Sequence, residues 1–517
     1  MKKSIYILLV AFASLAVIFN SCKKADLETL YPDPSKSSTA TVENFLTGVL
    51  SSANQVVLPW YWRFFVVEQP TLGHYTHTMG WINAKDQFIP PAAAMDWRWN
   101  GYYGTVSQFR VMESLYNKLE PANQAEYKIF MLAAKIFFYD QTQQTVDLFG
   151  DIPWSEAGKV RELGNLDDAL PKYDDAKDIY TVMLADLKTI ADELSTIAVP
   201  AFYADLFKKK DYLNHGDIAI WQKYCNSLRL RLLLRASDVM PTTEIGDILG
   251  NPAKYPVIES NAEAIMVDEP GPDLWAGQEI RSAMETWGTY DIAPWAMVKN
   301  MVDNGDPRLA ITFDPNKEGV YVGLNPLENA SVQNQKLSDG LISRYDTASF
   351  TRNTFFPGFV ITAAEVSFMK AEAYQEGFAS GDAKAAYEKG IDQSIDMWYD
   401  INATGDYRAP LDRPTSAQIS DYKASAGVSW DSNTDKINLI ATQKWLNTGL
   451  AEMPQTWAEY RRLDKPAFVF PEDPTSQQLV PPVRWLYPVT EKDLNGANYN
   501  AVKAQSDLNN KIFWDTK

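Results

Sequence analysis

The 517-residue chain has little with which to do nucleophilic, redox or metal chemistry: two cysteines and three histidines. Cys22 closes an N-terminal apolar run, so Cys225 is the only other thiol and no disulfide framework is possible in the body of the chain. His74 and His77 have metal-compatible spacing, but the sequence suggests no third ligand, and with His215 they read as ordinary loop residues. There is no G-x-S-x-G, no P-loop and no G-x-G-x-x-G, so acyl transfer and nucleotide binding have no support. No D-x-[DN]-x-[DN]-G loop appears either; no resident cofactor is expected, and a Ca²⁺ site made from loop Asp and Asn side chains stays open. Positive charge is also scarce, 48 Lys and Arg against 66 Asp and Glu for a net −18, which argues against a nucleic-acid partner. Finally, no uninterrupted apolar stretch reaches the length of a membrane span.

What is present begins with an export signal. Lys2 and Lys3 form a positive start, and Ile5 to Phe19 is an apolar run too short to span a bilayer comfortably. Asn20-Ser21-Cys22 follows, and a small residue before a Cys at this point resembles a bacterial lipobox, with Phe19 where Leu is usual. The expectation is a signal peptide over 1–21, a lipidated Cys22, a flexible tether over 22–40 and one domain over 41–517. Such a body is held to a membrane by lipid alone.

The domain carries helical periodicity. Tyr127, Phe130, Met131, Ala134 and Phe138 form one stripe, Ile179, Met183, Leu187, Ile190 and Leu194 a second, and Trp221, Tyr224, Leu228 and Leu232 a third. Asp174 and Asp175 are cap candidates for the second. Cys225 adjoins the third and reads as a buried, inert thiol. Thr362-Ala363-Ala364-Glu365 reads as a capping box, and a helix from there turns at Gly377–Gly381 into a second that ends near Trp398. Small Ala at the crossing and Tyr387 four residues after Ala383 resemble a tetratricopeptide unit. Between helices lie stretches rich in Pro, Gly, Asn and Trp, at about 60–100, 251–358, 402–436 and 464–485. Long loops of this kind are usually functional or disordered, and their aromatic content favours function.

Several motifs coincide with one family. Asp147-Leu148-Phe149-Gly150-Asp151-Ile152-Pro153-Trp154-Ser155-Glu156-Ala157 comes first, then Gly216-Asp217 and Trp221-Gln222-Lys223-Tyr224-Cys225-Asn226-Ser227-Leu228-Arg229-Leu230-Arg231. Asp306-Pro307-Arg308-Leu309, Ala371-Glu372-Ala373, Gln443-Lys444-Trp445 and Trp457-Ala458-Glu459-Tyr460-Arg461-Arg462 follow in order. Together they resemble the SusD/RagB family of nutrient-binding outer-membrane lipoproteins, in its SusD-like branch. The resemblance implies an all-α fold of four tetratricopeptide-like helix pairs supporting a loop-rich region. It implies a cell-surface outer-membrane location and a SusC-like TonB-dependent transporter as partner. It also implies an oligosaccharide or peptide ligand and no enzymatic activity. The motifs themselves read locally as scaffold: Gly150 and Pro153 stop a helix, Asn226 and Arg229 satisfy buried carbonyls, and Arg461 stacks on Trp457 one turn away.

A glycan site needs flat apolar faces ringed by polar groups. Loop aromatics suit this better than helix-stripe aromatics, which belong to the core. The candidates are Trp81 with Asn83, Trp97, Trp275 with Asp273, and Trp287 with Tyr290 and Arg281. Each could instead plug a gap between loop and scaffold. Carboxylates such as Glu68, Asp86, Asp96 and Glu285 could be paired for glycoside hydrolysis, but nothing in the sequence singles out a pair. Two rival readings remain: a helical-repeat lid subunit without its own ligand, and a secreted hydrolase.

Overall fold

The computed structural model describes residues 40–52, 54–159, 170–267, 275–288 and 290–517. The signal, Cys22 and the tether to residue 39 lie outside the described residues.

The scaffold helices are α1 (Val42–Ser52), α2 (Ala92–Asn117), α3 (Lys128–Phe149), α4 (Ala176–Leu194), α5 (Ile218–Arg235), α6 (Trp275–Glu285), α7 (Ala363–Gln375), α8 (Ala383–Thr404), α9 (Lys436–Thr448) and α10 (Met453–Leu463). They pack as the pairs α2–α3, α4–α5, α7–α8 and α9–α10, the expected tetratricopeptide-like arrangement. Helix α5 touches α3 on one side and α7 on the other, α7 also packs on α9, and α10 returns to α3, so the pairs close around one core. All three sequence stripes are in it: Phe130, Ile179, Met183, Leu187, Trp221 and Leu228 are each at most 1% exposed. Cys225 is buried too, and burial pushes its thiol up to about 12, so it is an inert core residue. Among the described residues no helix is long and apolar enough to cross a membrane.

Capping explains where the helices begin. Asp175 accepts from the amides of Lys177 and Asp178 at the start of α4, and Asp217 from those of Ala219 and Ile220 at the start of α5. Thr362 accepts from the Glu365 amide at 3.2 Å, but the reciprocal half of the expected capping box is absent. The Glu365 carboxylate turns inward instead to grip Arg231 at 2.8 and 2.7 Å, a stronger charge-assisted pair. Helix α8 continues past Trp398 to Thr404.

Gly390 makes the α7–α8 crossing tight. A Cβ there would sit 2.5 Å from the Phe368 ring, which is itself fully buried. Gly390→Ala is therefore expected to destabilise by about 1–3 kcal/mol in urea melts through overpacking, despite alanine's better helix propensity.

The family motifs build a buried ionic lattice across the pairs. Arg231 of α5 meets Asp140 of α3, Glu365 of α7 and Glu452. Arg235 meets Asp147 of α3 at 2.8 Å and Glu459 of α10 at 3.0 Å. Arg462 binds Glu372 through both terminal nitrogens, at 2.6 and 2.9 Å. Arg461 lies 3.6 Å over the Trp457 ring, as its spacing suggests, and donates to the carbonyls of Asp147 and Val483. Asn226 satisfies the carbonyls of Gln222 and Pro256. Arg229 does not have the expected carbonyl role: it binds Asn226 Oδ1 and the Glu244 carboxylate and covers the Tyr255 ring, because an acidic partner lies within reach.

Strands are minor. β1 (Ile152–Pro153), β2 (Tyr173–Asp174), β3 (Ile265–Val267), β4 (Phe313–Asp314), β5 (Arg344–Tyr345) and β6 (Gly358–Ile361) form antiparallel pairs β1–β2, β3–β6 and β4–β5. They pin the connecting segments to the scaffold. The stretch at 60–100 is less irregular than its prolines suggest. Residues Trp62–Gly73 form a helix with i→i+5 bonding that contains Pro70, and α2 starts at Ala92.

Candidate functional site

Three segments distant in sequence meet around a cleft of about 790 Å³. Its walls are Glu279, Arg281, Ser282 and Glu285 of α6 and Thr286 just after it, Arg352 and Thr354 from the segment before β6, and Asp406 and Tyr407 beyond α8. Tyr407 is 50% exposed, and the Arg352 guanidinium lies over its ring at 4.7 Å. That contact holds the ring flat without covering it completely. Glu285 fixes the arginines in turn: it accepts from Arg352 Nε at 2.7 Å, Arg281 Nε at 2.9 Å and Thr351 Oγ1 at 3.0 Å. Partial burial pushes the Glu285 carboxyl up, but these donors outweigh it and hold the group below its usual range. The result is a preorganised set of donors and acceptors beside an accessible aromatic face.

A second aromatic surface lies close by in the chain. Four residues after Thr286, the Tyr290 ring meets Phe65 at 4.3 Å and the Trp81 ring edge-on at 5.8 Å. Phe65 stacks on Tyr61 at 4.8 Å and 17°. All four rings are half-buried, and Trp62 beside them is 42% exposed. This row belongs to the Trp62–Gly73 helix and its flanks, against which α6 packs. The two surfaces thus share α6 as a common wall.

The candidate residues read from the sequence divide sharply. Arg281 is in the cleft, and Trp81 and Tyr290 are neighbours in the aromatic row. Asn83 is structural instead. Its Nδ2 donates to the carbonyls of Pro326 and Glu328 and its amide to Gln333 Oε1, which staples the 325–333 loop. Trp97 is not on a loop. It sits inside α2, half-buried against Trp60 at 5.6 Å. Proline at 90 and 91 starts that helix, where its missing N–H is harmless, and the same prolines suggest a loop in the sequence. Asp273 and the side chains of Trp275 and Trp287 lie outside the described residues. Sequence reasoning misses Arg352, Tyr407, Tyr61 and Phe65. Arg352 and Tyr407 have no local motif, since only the fold brings residues 352 and 407 to α6. Tyr61 and Phe65 are one helical turn apart, a spacing that reads as core.

Among the described residues, no group of three or more His, Cys, Asp or Glu could hold a metal ion.

Helix pairs that carry a polar, aromatic-walled cleft on their connecting segments define a helical-repeat scaffold of binding type. The family described as starch-binding and associating with the outer membrane matches residues 83–488, and the chain belongs to this SusD-like family. Among solved structures, a chitin-binding protein superposes with a TM-score of 0.74 at 22% identity, covering 91% of this chain and 100% of that one. A Bacteroidetes SusD-like protein gives 0.72 at 19% identity, covering 92% and 100%. A SusD homologue from Bacteroides fragilis gives 0.71 at 20%, again covering 92% and 100%. At these identities the likeness shows a shared fold. No curated protein matches the chain.

Proposed function

We propose that this protein captures an oligosaccharide at the cell surface and passes it to a SusC-like TonB-dependent transporter, anchored to the outer membrane through lipidated Cys22. The observation that carries the binding reading is the cleft itself. An exposed Tyr407 face offers a platform for the C–H face of a sugar ring. Arg281, Arg352, Glu285 and the hydroxyls of Ser282, Thr286 and Thr354 surround it with hydroxyl-binding groups. The volume suits a few sugar units. The family description and the chitin-binding neighbour support a glycan over other nutrients. The Trp81–Tyr290–Phe65–Tyr61 row supplies a second stacking surface for a longer chain.

Binding fits the electrostatics better than turnover does. A glycosidase needs one carboxylic acid held protonated near neutral pH, and the best-placed carboxylate, Glu285, is shifted the opposite way. A panel of soluble glycans screened by affinity gel and calorimetry tests the reading. At least one is expected to bind, without being degraded, and with an affinity that depends on the cleft residues.

A further inference from the structure

The cleft has a neighbour of different chemistry. A second cavity, of about 350 Å³, is walled by Met266 of β3, Phe355 and Pro357 from the segment before β6, and Met397 and Ile401 of α8. Cleft and cavity share two supporting segments. Thr354 lines the cleft and Phe355, the next residue, lines the cavity. Thr404 lines the cavity and Asp406 the cleft, with only Gly405 between them. Neighbouring Cα atoms are about 3.8 Å apart, so the divider is a single residue step in each segment.

The divider is clamped and low. Asn353, with no exposed surface, donates from Nδ2 to the Ile401 carbonyl at 3.0 Å and to Thr404 Oγ1 at 3.3 Å. Its Oδ1 accepts from the Phe355 amide at 3.0 Å, so one side chain ties both segments together. Gly405 has no side chain to raise the divider. Its backbone lies so close to the Ala348 carbonyl that a Cβ would sit 2.5 Å from that oxygen. Thr404, Asp406 and Tyr407 around it are exposed, so the divider is open to solvent along 404–407.

The lining selects the occupant. An unsubstituted sugar turned into this cavity would set its hydroxyls against two thioethers, a phenyl ring, a proline and an isoleucine, and leave them unpaired. An aromatic ring loses nothing polar there. Met266 and Met397 offer sulfur–aromatic contacts and adapt to a flat ring, and Phe355 offers a ring partner. The volume is that of a small-molecule site and exceeds what an acetyl group fills. We infer that the second cavity binds an aromatic group, carried as an acyl ester on the oligosaccharide that occupies the cleft. The ligand class is then an aromatic-acylated glycan, with its sugar on Tyr407 and its ring beyond Gly405. The glycan half of this inference rests on the proposed function, and the aromatic half on the cavity alone.

Two probes separate the halves. Methyl 4-hydroxycinnamate has the ring and the ester but no sugar, and its binding is followed by calorimetry and by NMR of methyl-labelled protein. Oligosaccharides of the glycan panel are compared with the same oligosaccharides carrying a 4-hydroxycinnamoyl ester. Ala262→Trp fills the cavity from an exposed lining position, so thermal stability is expected to hold. The parent is expected to bind the methyl ester, with contacts from its ring to the Met266 and Met397 methyl groups. Ala262→Trp is expected to abolish that binding and Tyr407→Ala to leave it unchanged. Acylation is expected to tighten glycan binding about tenfold or more, and Ala262→Trp to remove only that gain. The NMR contacts locate the ring in the parent protein even if a variant folds poorly. No binding of the methyl ester, contacts elsewhere, or binding indifferent to Ala262→Trp would overturn the aromatic site. No gain from acylation would overturn the ligand class and leave the proposed function standing. The methyl ester bound at Met266 and Met397 with no glycan bound at all would support the aromatic site and refute the proposed function.

Discussion

Arg231→Ala is expected to cost about 3–5 kcal/mol of unfolding free energy, which a denaturant titration of the purified protein would read. Arg231 is fully buried among Asp140, Glu365 and Glu452, and its Nη2 also donates to the Val360 carbonyl. Removing it leaves several carboxylates buried together with no neutralising charge. The loss should exceed that from a volume-matched apolar deletion, because helices α3, α5 and α7 all anchor on this one side chain. The pair-closing role of α5 would be lost with it. Arg231→Met tests the electrostatic part separately: it keeps most of the volume and removes the charge, and should be nearly as damaging while the acids remain.

The second large effect separates two glutamates seven residues apart. Glu459 meets Arg462, Lys444 and Arg235. Burial pushes its carboxyl up, but these cations win and hold it well below the usual range. A carboxylate with a depressed folded value stabilises the fold above the ordinary carboxylate range and loses that contribution as pH falls through the folded value. Glu452 has the opposite balance. Burial, with Glu365 and Asp140 nearby, raises it well above the usual range, and Arg231 does not compensate. Ionised, it opposes folding at neutral pH, and that cost is relieved as pH falls. Glu459→Gln is thus expected to lose about 3 kcal/mol or more at pH 7, and progressively less toward pH 3. Glu452→Gln is expected to be neutral or stabilising at pH 7. Urea melts of both variants across this range check the crossing of the two trends. Equal losses at pH 7 would show that the lattice does not distinguish them.

These effects also explain why the scaffold is legible in the sequence and the site is not. Helix stripes such as Ile179–Leu194 repeat at 3.6 residues, and every position in them is decided by its own neighbours along the chain. Motif residues such as Asp147, Arg231 and Arg461 have the look of scaffold because a buried charge needs a partner, and they find one. The cleft follows no period. Glu285, Arg352 and Tyr407 come from α6, from the approach to β6 and from beyond α8, and each alone is an ordinary surface residue. Trp81 and Tyr290 are visible because aromatics in proline-rich segments stand out. Trp97 stands out for the same reason and is helical, since proline also opens helices. Asn83 misleads differently: a polar residue beside an aromatic suits a sugar, but backbone carbonyls at 326 and 328 claim it first.

In the proposed function, glycan binding is expected to rest on Tyr407. Calorimetric titration of one glycan ligand, found in the screen, against parent and Tyr407→Ala protein measures it directly. Loss of one aromatic stacking platform is worth about 1–3 kcal/mol by analogy with base stacking on aromatics, or roughly a 5- to 150-fold rise in Kd. Arg352→Ala should do the same through both its hydrogen bonds and the freed ring. Unchanged thermal stability would show that the loss is local. Glycan binding that is indifferent to both substitutions would contradict the account and move the ligand away from this cleft.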